Sequence, residues 1–518
     1  MYLKQVHPLL NHIYKATTLF LERNYMKKRL LFIAHIAVWL LGTAFLMVGM
    51  FHNNVWFDES YSVGIVNHNL FDVCIISAAD VHPPFYYIVL KLYSLLFGNS
   101  ITSLRSFSVL CASLLAGLGI THIRKDFGEK VGFWYTTLTF LFCSTFKYAN
   151  EIRMYTLAPL LVTLMCIYAY RFYKSGLTDK KNRILFLVFS ILGAYTHYYA
   201  LAAAGAVTFL FLLYCRKNDL MTLWKKLAKM QMLFYIPGFI CLFAQSLHVV
   251  SSFWITMLYP EFIYKSLSFF LIGDVPGDAV NLTKITATIY DAIAVVIWGV
   301  CAFFVVSDYR KNRDKNTTVL LVLKVIGLVI GFFLAVSLIR PLYYVRYLTV
   351  LSGLVVLFFA FALEKINKPF VKPALILLLV VVLILRVVPL YKVMYASNND
   401  NLNAFMTENV KDGDIIISEN VLILTVISVK YPNVKMYFYN SEDWHVKTAY
   451  KAYMPGMETI TELSEVDETD RRIWVLNNDH DASVCDEISA NTDKEITMIY
   501  PKFVVPYHNI EFTFTLME

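Results

Sequence analysis

The chain is poor in charge: Asp, Glu, Lys and Arg make up only 16% of its 518 residues, against 58% hydrophobic. With a mean hydropathy of +0.55, it lies outside the range of soluble globular domains. Paired cysteines are also lacking. The eight cysteines (74, 111, 143, 166, 215, 241, 301 and 485) stand singly, mostly in apolar runs and without CxxC spacing, so they read as small apolar packing residues rather than metal ligands. No GxxxxGK[ST] loop and no GxGxxG turn occurs, which removes the usual phosphate cradles for a nucleotide. No internal repeat is evident, and no small-residue cleavage site follows the basic N-terminus. Residues 1–29 therefore read as a cytoplasmic basic segment ahead of a retained anchor.

What is present is a series of long apolar runs. About 20 apolar residues span a bilayer as a helix, and by that measure eleven spans are expected, at roughly 30–51, 102–123, 131–149, 154–173, 184–197, 198–215, 231–249, 285–306, 318–339, 346–363 and 371–391. The run 184–197 is short and nearly abuts 198–215, so one merged helix competes with two. Charge separates the readings. With two helices and the N-terminus inside, the cytoplasmic segments hold 26 Lys and Arg, and 8 lie in or beside the opposite loops, as the positive-inside rule requires. The run 84–97 would break that asymmetry as a twelfth span. It is expected instead as a surface helix of the outer loop 52–101, with Tyr86, Tyr87 and Tyr93 at the interface.

From Lys392 onward the composition inverts, to 10 Lys and Arg against 21 Asp and Glu, whereas residues 1–391 hold 36 against 17. The apolar runs also shorten. Helices at 402–410 and 422–430 and strands at 414–418, 434–439, 472–476, 496–500 and 510–516 are expected. The division is thus a transmembrane domain over 30–391 and a small α/β domain over 392–518. Eleven spans place the latter outside the plasma membrane, away from an anionic inner leaflet.

This topology gathers costly polar residues on the outer side: Asp58, Glu59, Asp80, His82, Glu151, Arg153, His197, Arg340 and Arg346. Ionisable groups at a membrane are functional candidates, because desolvating them is expensive unless something pairs with them. The competing explanation is structural ion pairing, such as Glu151 with Arg153 or Arg105. A carboxylate can take a proton from a hydroxyl, and arginine offers a fixed fork to a phosphate. Together they suit a nucleophilic hydroxyl and a phosphate leaving group.

At these residues the chain resembles the GT-C superfamily of membrane glycosyltransferases, in the branch of protein O-mannosyltransferases and lipid A aminoarabinose transferases. The matches are Trp56-Phe57-Asp58-Glu59-Ser60-Tyr61, Asp80-Val81-His82-Pro83-Pro84, Glu151-Ile152-Arg153-Met154-Tyr155, Thr196-His197-Tyr198-Tyr199, Arg340-Pro341 and Arg346-Tyr347. Their order and spacing carry the resemblance, which covers most of the chain.

The resemblance implies a polyprenyl-phosphate sugar as donor, membrane lipid around it, and an acceptor that is lipid, polymer or protein; no nucleic-acid partner is implied. It makes Asp58 the catalytic carboxylate, with Glu59 as companion acid or loop anchor and Glu151 as a further acid. Arg346, Arg153, Arg340, His82 and His197 become candidates for the donor phosphate. His82 has an alternative role in capping the surface helix, and His197 one in packing. A divalent metal held by Asp58 and Glu151 is compatible with the resemblance, and so is none. Two other readings compete: a transporter or lipid flippase, and a non-catalytic scaffold for the tail domain. A transporter should hold its ionisable groups at midplane in repeated halves.

Overall fold

The computed structural model describes residues 26, 28–79, 81–248, 255, 258–273, 283–311, 317–396, 398–439, 457–466, 471–477, 483–500, 502–505 and 510–518; Asp80 lies outside them. Each of the eleven apolar runs is largely helical. Eight form helices long and apolar enough to cross a membrane: α1 Lys28–Met47, α5 Ile101–Phe127, α10 Tyr198–Lys217, α11 Met221–Phe243, α13 Lys284–Lys311, α14 Thr318–Ser337, α15 Val345–Lys365 and α16 Val371–Met394. The run 131–149 is broken at Phe142 into α6 Glu129–Leu141 and α7 Cys143–Ala149. The remaining two become α8 Leu157–Lys174 and α9 Lys180–Ala194. Tyr195, Thr196 and His197 turn the chain between α9 and α10, which pack on each other as two helices.

The loop 52–101 is more structured than its sequence suggests. It folds into α2 Phe57–Asn67, α3 Leu70–Ala79 and α4 Phe85–Phe97. At 1.5 Å per residue, the 13 residues of α4 reach roughly 20 Å, too short to span. Two of its three tyrosines are not at the interface as expected: Tyr86 and Tyr87 are fully buried, Tyr93 is half-buried, and Leu92, Leu95, Leu96 and Phe97 face outward. Burial wins because Tyr87 carries a hydroxyl that the site uses, whereas a leucine loses nothing by facing lipid. A further short helix, α12 Glu261–Ile272, packs on α13.

Basic loops meet at one end of the bundle. There Arg171 pairs with Asp126 at 2.9 Å and Lys365 with Asp308 at 3.1 Å, and the Lys372 ammonium sits over the Trp134 ring. The polar loops meet at the other end, where Phe85 N donates to Tyr195 O at 2.9 Å.

The tail follows its short-period pattern: α17 Asn398–Asn409, β1 Ile415–Ser418, α18 Val421–Lys430, β2 Lys435–Tyr439, β3 Met457–Ile460, β4 Ile473–Asn477, α19 Ser483–Asn491, β5 Ile496–Ile499, β6 Phe503–Val505 and β7 Ile510–Met517. The strand order is β3-β2-β1-β4-β7-β5, with β6 also on β7. β1 to β4 run parallel, and β7 is antiparallel to its neighbours. The central parallel strand β1 is buried along its whole length and reads Ile-Ile-Ile-Ser without alternation, whereas the edge strand β3 exposes Glu458. Asn420 caps α18 by accepting from Leu422 N and Ile423 N. That helix lies directly on α2, so the tail domain is seated against the polar end of the bundle.

Candidate active site

Asp58 and Glu59 occupy the first turn of α2, where carboxylates complement the helix dipole. The structure gives these adjacent acids different surroundings. Glu59 is 1% exposed and gripped by Arg105, with Arg105 Nε on Oε1 and Nη2 on Oε2, both at 2.8 Å. Ile152 N adds a third bond to Oε1 at 3.2 Å. The same guanidinium donates to His52 O and Asn54 O, and the Asn54 amide donates to Val393 O, Met394 O and Ala396 O at the end of α16. Arg105 and Asn54 thus tie the Asp58 loop to the connection that leads into the tail domain. Removing one partner of a buried pair of this kind typically costs about 3–5 kcal/mol.

Asp58 is 23% exposed, and its Oδ2 accepts from Arg346 Nη1 at 2.9 Å. The Arg346 guanidinium is stacked between aromatic faces, 5.0 Å from the Trp56 ring and 5.3 Å from Tyr344. Tyr344 precedes the 3-10 turn Val345–Leu351 that begins α15, which lifts Arg346 toward α2.

Glu151 does not pair with Arg153 or with Arg105. Its Oε1 lies 3.7 Å from Lys147 Nζ, one helical turn earlier, and both side chains are 3% exposed. Its Oε2 is buried without a hydrogen-bond partner. Burial pushes the carboxyl up to about 7, Lys147 and Arg346 oppose the shift, and Glu59 and Asp58 add to it. The peptide unit is fixed by Ser108 Oγ, which donates to Glu151 O at 2.6 Å.

Arg153 instead donates to Tyr87 Oη at 3.1 Å, to Asp58 O at 3.4 Å and to His82 Nε2 at 3.4 Å. His82 therefore binds a side chain, while Pro84 takes the cap position of α4. His197 is the residue that caps: its Nδ1 accepts from Tyr199 N at 3.1 Å at the start of α10, and its ring packs on Tyr347 and His82.

A cavity of about 770 Å³ opens beside this cluster. His82, His197, Arg340 and Tyr347 line its polar end. Leu201, Phe209, Leu212, Phe239 and Phe333, from α10, α11 and α14, line an apolar body that reaches Trp224. Arg340 makes no ion pair with any carboxylate among the described residues. Asp58 and Arg346 adjoin the cavity rather than line it; Tyr347 connects them to it.

Six of the eight candidate residues thus form one linked cluster, Asp58, Arg346, Arg153, His82, His197 and Glu59, the last through the α2 turn. Glu151 lies within the field of Asp58 and Arg346, and Arg340 shares the cavity lining with His82 and His197. Of the two carboxylates considered for a metal, Asp58 gives Oδ2 to Arg346 and Glu151 faces Lys147 with Oε1. No group of three or more His, Cys, Asp or Glu side chains is placed to hold an ion among the described residues. Two parts of the site were not assigned from sequence. Arg105 carried a signal, a charge inside an apolar run, but not the identity of its partner; Asn54 carried none.

The fold is that of two solved structures of ArnT from Cupriavidus metallidurans. The apo form superposes with a TM-score of 0.59 over 93% of this chain and 97% of that one, at 10% identity. The form bound to undecaprenyl phosphate gives 0.55 at 11% identity with the same coverage. The chain therefore shares the fold of these structures over nearly its whole length, and its apolar helices are those of a multi-pass membrane protein. No protein-family model and no curated protein matches the chain.

Proposed function

We propose that this protein transfers a sugar from a polyprenyl-phosphate donor to an acceptor hydroxyl at the outer face of the membrane. The observation that carries the reading is a largely apolar cavity that is lined by Arg340, His82 and His197 and, through Tyr347, adjoins the Asp58–Arg346 pair. A molecule that fits has a long apolar tail and an anionic head, and the same fold in ArnT is solved with undecaprenyl phosphate bound. The donor's tail lies along α10, α11 and α14, and Arg340, with His82 and His197 beside it, meets the phosphate.

Asp58 is the base. Arg346 holds Oδ2, and Oδ1 takes the proton of the acceptor hydroxyl as its oxygen bonds to the anomeric carbon. The bond from that carbon to the phosphate oxygen breaks, and its electron pair leaves with polyprenyl phosphate. One displacement inverts the anomeric centre. The departing phosphate gains a negative charge, which Arg346 and Arg153 offset. Glu59 serves as the anchor of the α2 turn, and Glu151 as a buried acid that tunes the Arg346 end.

The orientation rests on charge: the basic end is cytoplasmic, so the site and the tail domain are outside. The test is purified protein in lipid with a panel of polyprenyl-phosphate sugars, followed by mass spectrometry. Loss of transfer in Asp58→Asn and in Arg346→Ala, with folded protein retained, supports both roles. Undiminished transfer in Asp58→Asn moves the base elsewhere. A wild type that moves the donor between leaflets without consuming it would replace the transferase with a flippase.

A further inference from the structure

A second cavity, about 340 Å³, lies toward the basic end of the bundle, between α8, α10, α14 and α15. Its interior is apolar, with Ile167, Val207, Phe211, Val325, Leu354 and Leu357. Its rim is not. Tyr173 and Tyr214 meet edge to face at 5.0 Å, and Thr318 Oγ1 donates to Tyr170 Oη at 3.3 Å. Two lysines, Lys217 and Lys324, complete the lining.

Lys217 is the last residue of α10. Lys324 is the only charged residue of α14, which reads Thr-Val-Leu-Leu-Val-Leu before it and runs apolar from there to Ser337. It stands seven residues into the helix, roughly 10 Å below its start, where an unpaired ammonium is costly unless its stem snorkels toward a partner. Neither lysine has an ion-paired carboxylate among the described residues. The nearest acid along the chain from the lining Phe127 is Asp126, which Arg171 already holds.

We infer that this cavity is a binding site for an anionic glycerophospholipid, with an acyl chain in the apolar interior and the phosphate on Lys217 and Lys324. Charge complementarity selects the occupant. A zwitterionic lipid would bring a second cation to the two lysines, and the rim tyrosines suit the headgroup level. The site is separate from the donor cavity, and the inference does not depend on the transferase reading.

The experiment is native mass spectrometry of the full chain released from nanodiscs of equal phosphatidylglycerol and phosphatidylcholine. The wild type is expected to retain phosphatidylglycerol selectively. The Lys217→Ala/Lys324→Ala double variant should lose that retained mass, and Lys217→Arg/Lys324→Arg should keep it. Both lysines are exposed, so the substitutions leave the fold intact, which thermal unfolding of the same samples checks. Equal retention of the two lipids, or unchanged retention of phosphatidylglycerol in the alanine variant, would each overturn the assignment.

Discussion

Glu151 is the side chain whose surroundings oppose its ordinary charge most directly. Its folded carboxyl titrates near 7, above the usual carboxylate value near 4.5, so ionising it costs the folded state more than the unfolded one. The stability linked to this group is therefore fully present below about pH 4.5 and is lost as pH rises through 7. At about 1.4 kcal/mol per pKa unit, the loss amounts to roughly 3 kcal/mol. Thermal unfolding from pH 5 to 8 should show that slope in the wild type and a flatter line in Glu151→Gln. The cost of removing the Lys147 partner shifts the whole line without adding slope. Parallel lines for the two proteins would mean that the buried carboxyl is solvated after all. Asp58, Glu59 and Glu151 are all visible in the sequence as acids near a membrane. Their division of labour is not, because Arg105, Arg346 and Lys147 lie 46, 288 and 4 residues from the acids they hold.

The helices meet closely enough that single atoms matter. A Cβ on Gly353 of α15 would fall on the Thr163 hydroxyl of α8 and within 3.0 Å of the Tyr135 hydroxyl. Small residues at such crossings let membrane helices approach. Gly353→Ala is expected to destabilise the protein by about 1–3 kcal/mol through overpacking. Adding Thr163→Ala should recover much of the loss, because the two positions share one contact. Unfolding of the single and double variants in detergent measures the coupling, and strict additivity would refute the crossing. A different device operates in α11. Pro237 interrupts that helix, and Tyr195 Oη fills the gap by donating to Phe234 O at 2.8 Å and accepting from Gly238 N at 3.0 Å. The inserted hydroxyl thus keeps these two backbone groups satisfied beside the turn that carries His197.

For the molecule as a whole, the two ends of the bundle differ in the charges they carry. Positive-inside topology predicts that alkaline phosphatase fused after residue 518 is active, and that the same reporter fused after Lys174, at the basic end of α8, is inactive. The reverse pattern would invert the assigned orientation and place the site in the cytoplasm. The seat of α18 on α2 and the Asn54 bonds to 393–396 also make the tail domain part of the structure around Asp58 rather than an appendage.

By itself the sequence determined the class of the molecule, its apolar spans, the break in composition at Lys392 and most of the tail's elements. Hydropathy and local periodicity report burial segment by segment, and outside α4 that was enough to place these elements. Only the tertiary structure decided which acid is clamped and which is partly open, that Tyr86 and Tyr87 turn inward, and that His197 caps while His82 binds Arg153. It alone joined residues of α10, α11 and α14 into a cavity beside Asp58. These outcomes depend on which distant side chain supplies the opposite charge or fills the facing space, and local sequence does not encode that partner.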